Sequence, residues 1–195
     1  MTAIAMRTKA RPSTRERIVS ASYDLFTTRG IRDVAMDDVA ASSGVAKATL
    51  YRHFPSKNEL AIAFLERRES VWTLGFVEAE ILSRSGDPIG RLLAIFDVFD
   101  EWFTRGDFEA CSFVNALLEM GPDHAIGRAS IGHLANIRSM VAGLATDAGL
   151  RETENFARSL HILMNGSIVQ ATEGDLDAAR LAKTMARDLI DRHRP

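Results

Sequence analysis

With 195 residues, 46% hydrophobic and 26% charged, the chain is long enough for one full domain or a small one joined to a larger, and its composition excludes a disordered or collagen-like polymer. The net charge of −2 conceals an asymmetry: residues 1–57 hold ten Lys/Arg against five Asp/Glu, a net of +5, and the remainder holds 14 against 21, a net of −7. One end is therefore suited to a polyanion and the other is not. A single cysteine, Cys111, excludes an internal disulfide and a cysteine zinc cluster. The opening residues lack the apolar core of a secretory signal, and no run of about 18 apolar residues occurs. The expectation is a cytoplasmic protein with no membrane partner.

Nearly every segment has helical period. Residues 1–12 are basic, with Arg7, Lys9 and Arg11 spaced two apart, and are expected to form a flexible arm. Ser13 to Glu16 spells a capping box that starts the first helix. Ile18, Ala21, Ser22, Leu25 and Phe26 form its apolar face, and Gly30 with Ile31 is expected to close it in a Schellman-type end. A short second helix spans about 36–43. Gly44 supplies the turn, and a third helix runs from Lys47 toward Phe54, so the order is helix, tight turn, helix.

The third helix is short, and isolated helices of under about 12 residues are marginal. At 100° per residue, Ala46 and Phe54 lie on the same side as Leu50, so these residues and Val45 are expected to anchor it. Lys47, Ala48, Thr49, Tyr51, Arg52 and His53 are left as a small, hydroxylic, aromatic and cationic face. Such a face fits a DNA major groove about 12 Å wide, with Lys47 and Thr49 reaching bases and Tyr51 and His53 donating to phosphates. By composition alone it also describes a solvated basic surface. Ser56 to Glu59 forms another capping box, opening a fourth helix to about Arg84. Lys57 sits in its first turn, where the macrodipole disfavours a cation unless a phosphate docks there.

The remaining segments give helices at about 88–103, 108–120, 123–148, 152–172 and 175–192, and no strand. The fold expected is all-α, of about nine helices. Phe99, Trp102 and Phe103 read as core residues. Cys111, Asn115 and Glu119, four apart, form a polar stripe that would orient a ligand or bond to solvent or a neighbouring helix. His161 and Asn165 make a second such pair, beside Met164. No cation adjacent to Cys111 supports a redox role. The segment 160–171 is apolar on nearly every side and needs cover all round. With Leu181, Ala182, Met185, Leu189 and Ile190 it is expected to form half of a four-helix bundle in a homodimer, with Ile168 and Ala171 at the interface.

No metal site, cofactor or enzyme activity is expected. No nucleophile elbow, zinc-protease pair, Walker loop or dinucleotide fingerprint occurs, and the five histidines lack ligand spacing.

The stretch from Thr14 to Glu66, with its G-V-x-x-x-T-L-Y-x-H-F motif at Gly44–Phe54, the preceding D-D-V-A and the following Ser56-Lys57, resembles the DNA-binding domain of the tetracycline-repressor (TetR) family. The resemblance covers about residues 13–65. It implies a helix-turn-helix domain (13–57) and a C-terminal ligand-binding and dimerisation domain (58–195), whose helices surround a ligand cavity lined by residues such as Phe99, Trp102 and Phe103. Carried over by position, it implies Lys47, Ala48 and Thr49 at the bases, Tyr51, His53 and Lys57 at phosphates, and Met36 and Asp37 close to the DNA. Ala46 stands where the family often has a Ser or Thr cap. The function implied is a homodimeric regulator on a palindromic operator, usually a repressor, released by a small-molecule effector. The alternative is a ligand-independent or architectural DNA-binding protein.

Overall fold

The computed structural model describes residues 12–195. Arg7, Lys9 and Arg11 of the basic arm lie outside the described residues. Among those described, every regular element is helical, and three consecutive elements run together, leaving nine separate helical stretches. The chain divides into two compact units, Met1–Phe64 and Leu65–Pro195.

In the first unit, α1 (Thr14–Arg29) begins at the capping box: Glu16 N–H donates to Ser13 Oγ (3.2 Å) and Ser13 N–H to Glu16 Oε2 (2.7 Å). Its end differs from expectation. Gly30 has φ 80° but ψ 163°, so the chain leaves extended instead of turning back in a Schellman motif. That exit carries Ile31 and Val34 into the core, where both are buried. α2 (Met36–Ser43) has no side-chain cap from Ala35, but Asp38 Oδ2 accepts from Ala35 N–H at 3.2 Å.

α3 (Lys47–His53) is held by buried Leu50 and Phe54. Ala46, expected inward, is exposed. It is the N-cap and has extended backbone, so the helical rotation used to place it does not apply. α4 (Lys57–Arg68) has half of its expected capping box. Ser56 Oγ accepts from Glu59 N–H (3.2 Å), but the Ser56 hydroxyl, not its backbone N–H, meets the Glu59 carboxylate. Phe64 packs edge-on against Tyr23 and Phe26 at 5.3 and 5.6 Å between ring centres. The first turns of α4 thereby belong to the N-terminal core.

The second unit opens on the end of α4, which passes without interruption into a π-helical segment, Glu69–Val77, and then α5 (Glu78–Arg84). Gly75 gives this register room at its tightest point. A Cβ there would lie 2.8 Å from the Ser70 carbonyl oxygen, closer than real contacts allow. α6 (Pro88–Phe103) starts with Asp87 capping Gly90 N–H at 2.8 Å and Pro88 in its first turn.

α7 (Ser112–Met120) begins four residues later than expected, because residues 108–111 are not helical and Ala110 adopts φ 58°. α8 (Ala125–Asp147), α9 (Thr153–Thr172) and α10 (Ala178–His193) complete the chain. α9 packs between α8 and α10, and α10 also packs on α6. Phe96, Phe156, Leu92, Ile95 and Leu160 are fully buried among them. α9 is not covered all round within the chain: Ile162 and Val169 remain exposed.

Candidate functional site

The helix-turn-helix is built by its turn. Gly44 adopts φ 65°, ψ 34°, the left-handed conformation that side chains with a Cβ resist. Val45 N–H then donates to Ala40 O (3.2 Å) and Gly44 N–H to Ala41 O (3.3 Å), the two bonds of a Schellman motif. Arg17 of α1 reaches across, and its Nη2 donates to Ser43 O (2.8 Å) and Gly44 O (3.2 Å). Sequence reasoning missed this clamp, since nothing in the spacing of Arg17 separates it from a surface arginine.

α3 is held from within by Leu50, fully buried, and by Phe54, over whose ring the Arg15 guanidinium sits at 5.0 Å. Lys47, Ala48, Tyr51 and Arg52 are exposed, with Thr49 and His53 half-buried. Near the start of α2, Asp37 is exposed and Met36 half-buried. Lys47 Nζ and Asp37 Oδ1 pair at 2.8 Å, and the hydrogen bond and charge of Asp37 raise Lys47 above its ordinary 10.5. Lys57 Nζ donates to the Arg32 and Val34 carbonyls at 2.9 and 3.2 Å, stitching α4 to the segment between α1 and α2.

In the second unit a cavity of about 50 Å³ is lined by Phe99, Trp102, Cys111, His161, Met164 and Asn165, all expected ligand residues, and also by Arg68, Trp72, Thr73 and Ile168. Phe103 lies instead in the core beside Phe99 and Phe108. Asn115 lines a neighbouring surface groove of about 580 Å³. Glu119 lines neither space. Cys111, the cap before α7, lines the groove as well as the cavity, so it and Asn115 stay together. Of the residues expected at a dimer interface, Ile168 and Ala171 are buried and line the groove, Leu189 is buried, and Leu181 and Met185 are exposed.

The cavity's electrostatics were not anticipated. Arg68 is 6% exposed, its Nη1 donates to Glu109 Oε1 at 2.8 Å, and its guanidinium lies 4.6 and 5.5 Å from the Trp72 and Trp102 ring centres. Burial, and then the charge of Arg138, lower His161 to about 4, so its imidazole is neutral near pH 7. Asn165 Nδ2 lies 3.5 Å from His161 Nε2. Burial raises the Cys111 thiol, which makes it a poor nucleophile.

Beside the cavity, Glu69 takes a hydrogen bond from Asn136 (2.8 Å) and pairs with His133 Nδ1 (2.9 Å). Burial pushes Glu69 upward, but these partners outweigh it and hold the carboxyl below its ordinary range. The acidic residues of α6 are paired: Asp97 with Lys183, Glu101 with Arg84, and Asp100 with Arg180 at 3.4 Å.

Residues 18–64 match the family model described as bacterial regulatory proteins, tetR family. Over 76 residues the chain is 32% identical to the HTH-type transcriptional regulator SrpR of Pseudomonas putida, covering 39% of this chain and 36% of that one. Over 89 residues it is 35% identical to the HTH-type transcriptional activator FasR of Mycolicibacterium smegmatis, covering 46% and 40%. The chain thus spans well under half the length of either relative. The crystal structure of SCO4454, a TetR-family transcriptional regulator from Streptomyces coelicolor, superposes with a TM-score of 0.81 over 93% of this chain and 96% of that one, at 24% identity, a likeness of fold. The motif around Gly44 and the three-helix unit that carries it are those of the TetR family of bacterial regulatory proteins, which the chain matches over residues 18–64, and the helical unit that follows shares that family's fold.

Proposed function

We propose that the protein is a sequence-specific DNA-binding transcriptional regulator, a repressor that a small-molecule effector releases from its operator. The observation that carries the DNA reading is α3 itself. Leu50 and Phe54 commit its inner face to the core, while Lys47, Ala48, Tyr51 and Arg52 stand outside it. A small residue between cations suits close approach to base edges and phosphates. One helix of seven residues reads few bases, so a two-fold pair on a palindrome is the arrangement that reads enough of them. Ile162 and Val169 on α9, with Leu181 and Met185 on α10, are exposed apolar residues that a second copy would cover.

Effector control rests on the cavity and on the helical run 57–84. Its first turn carries Lys57, and its π-helical middle supplies Trp72 and Thr73 to the cavity wall. A space of about 50 Å³ holds only a few waters, so an effector must select a wider state. If that state misplaces α3, DNA and effector compete by linkage, each weakening the other by the same factor.

The test is selection of bound duplexes from a random pool by the full chain. The expected product is a palindrome with half-site centres about one helical turn apart, or a multiple of it. Retention of all duplexes alike, with one salt dependence, would sink the sequence-specific reading in favour of an architectural protein.

A further inference from the structure

The chemistry of the effector is legible in the cavity wall, an inference that rests on reading that cavity as the effector site. Arg68 is a buried cation whose charge is balanced across the wall by Glu109 at 2.8 Å. Glu109 belongs to the groove outside, and Cys111, Asn165 and Ile168 line both spaces, so the ion pair sits where groove and cavity adjoin. The residue after Glu109, Ala110, is held at φ 58°, a backbone state that costs free energy without glycine.

Three ligand charges fare differently here. A cation would want the aromatic faces, but guanidiniums already occupy them: Arg68 over Trp72 and Trp102, Arg105 over Trp72 and Phe76 at 5.8 and 5.9 Å. A neutral molecule must leave the ion pair intact, since parting it would strand a buried charge, and the space that remains is small. An anion alone exchanges like for like. Its carboxylate takes over the guanidinium, Glu109 turns back to the water of the groove, and the wall stays neutral.

We propose that the cavity takes a small organic monocarboxylate with a flat apolar body, whose carboxylate replaces Glu109 on Arg68. The body would lie along the apolar wall of Phe99, Met164 and Ile168, within reach of the tryptophans, and neutral His161 and Asn165 would serve any second polar atom.

Trp72 and Trp102 are the chain's two tryptophans, and both line the cavity, so intrinsic fluorescence reads it directly. The full chain would be titrated near pH 7.5 with benzoate, benzamide and benzylammonium, with anisotropy of a labelled operator followed in parallel. Benzoate is expected to saturate at least about tenfold below benzamide, because a charge-assisted pair is about twice as strong as a neutral one. Benzylammonium is expected to give no saturable signal. Glu109→Gln removes the internal competitor, so it should tighten benzoate about tenfold and make the melting temperature rise more on benzoate addition than in wild type. Benzamide binding as tightly as benzoate, no response to any of the three, or a Glu109→Gln variant no tighter than wild type would each overturn the assignment. Benzoate binding as described with the operator retained would uphold it and overturn effector release instead.

Discussion

Replacing Gly44 with alanine isolates what the turn contributes to DNA binding. A Cβ at Gly44 would meet Arg17 Nη2 at 3.6 Å, an ordinary contact, so no clash is involved. The cost is conformational: at φ 65° an L side chain loses about 1–2 kcal/mol. Every 1.4 kcal/mol is tenfold, so the population of opened turns should rise about fivefold to thirtyfold. Backbone hydrogen exchange at Val45, whose N–H donates to Ala40 O, measures that population, and exchange should accelerate by the same factor. Operator affinity should fall by no more than that factor, because only molecules with the turn closed present α3 correctly. Gly44→Asn is the control, since asparagine tolerates the left-handed region far better. If alanine exchanged within twofold of wild type, or asparagine were as damaging as alanine, backbone conformation would not be what holds the turn.

Tyr51→Phe should weaken all duplexes similarly, whereas Lys47→Ala should change which base is preferred; binding to a set of single-base operator variants separates the two. Leu50→Ala, which removes a fully buried anchor, should cost about 2–5 kcal/mol in urea unfolding of the N-terminal unit. His161 titrates near 4 when folded against an ordinary 6.5, so the unfolded chain binds more protons between those values and stability falls as pH drops through that window. His161→Gln should flatten that part of the stability profile in thermal melts from pH 7 to 4. Gly75→Ala should force the π-helical segment to shift, and a change in the emission of Trp72 would report it.

The helix-turn-helix was legible because its signals are local. Ser13 and Glu16 name a capping box, Gly44 names a left-handed turn, and Leu50 with Phe54 names a buried side. Where a local rule was extended past its helix, as with Ala46, the reading failed. That residue is a cap with extended backbone, and helical rotation says nothing of it. The cavity was half legible. Apolar periodicity marked its aromatic and Met residues and the family resemblance implied that some line a pocket, but Arg68 followed from neither, because an arginine on an amphipathic helix is usually solvated. Its burial needs Glu109, which is 41 residues away in the chain. The π-helical register was likewise invisible, since helical periodicity does not distinguish it over nine residues.

The two lysines expected at the DNA illustrate why a charge count does not predict geometry. Lys47 and Asp37 are both about two-thirds exposed, so their pairing is screened and exchangeable, and a phosphate or base edge can take the ammonium once Asp37 yields. Lys57 need not yield anything. An ammonium carries three donors, and two of them hold the Arg32 and Val34 carbonyls, leaving one for an acceptor outside. The carbonyls also draw the cation away from the first-turn N–H groups of α4, which explains how a lysine is tolerated where the macrodipole opposes it. A phosphate arriving there would meet a lysine already oriented by the protein, so most of the ordering entropy is lost on folding and not on binding.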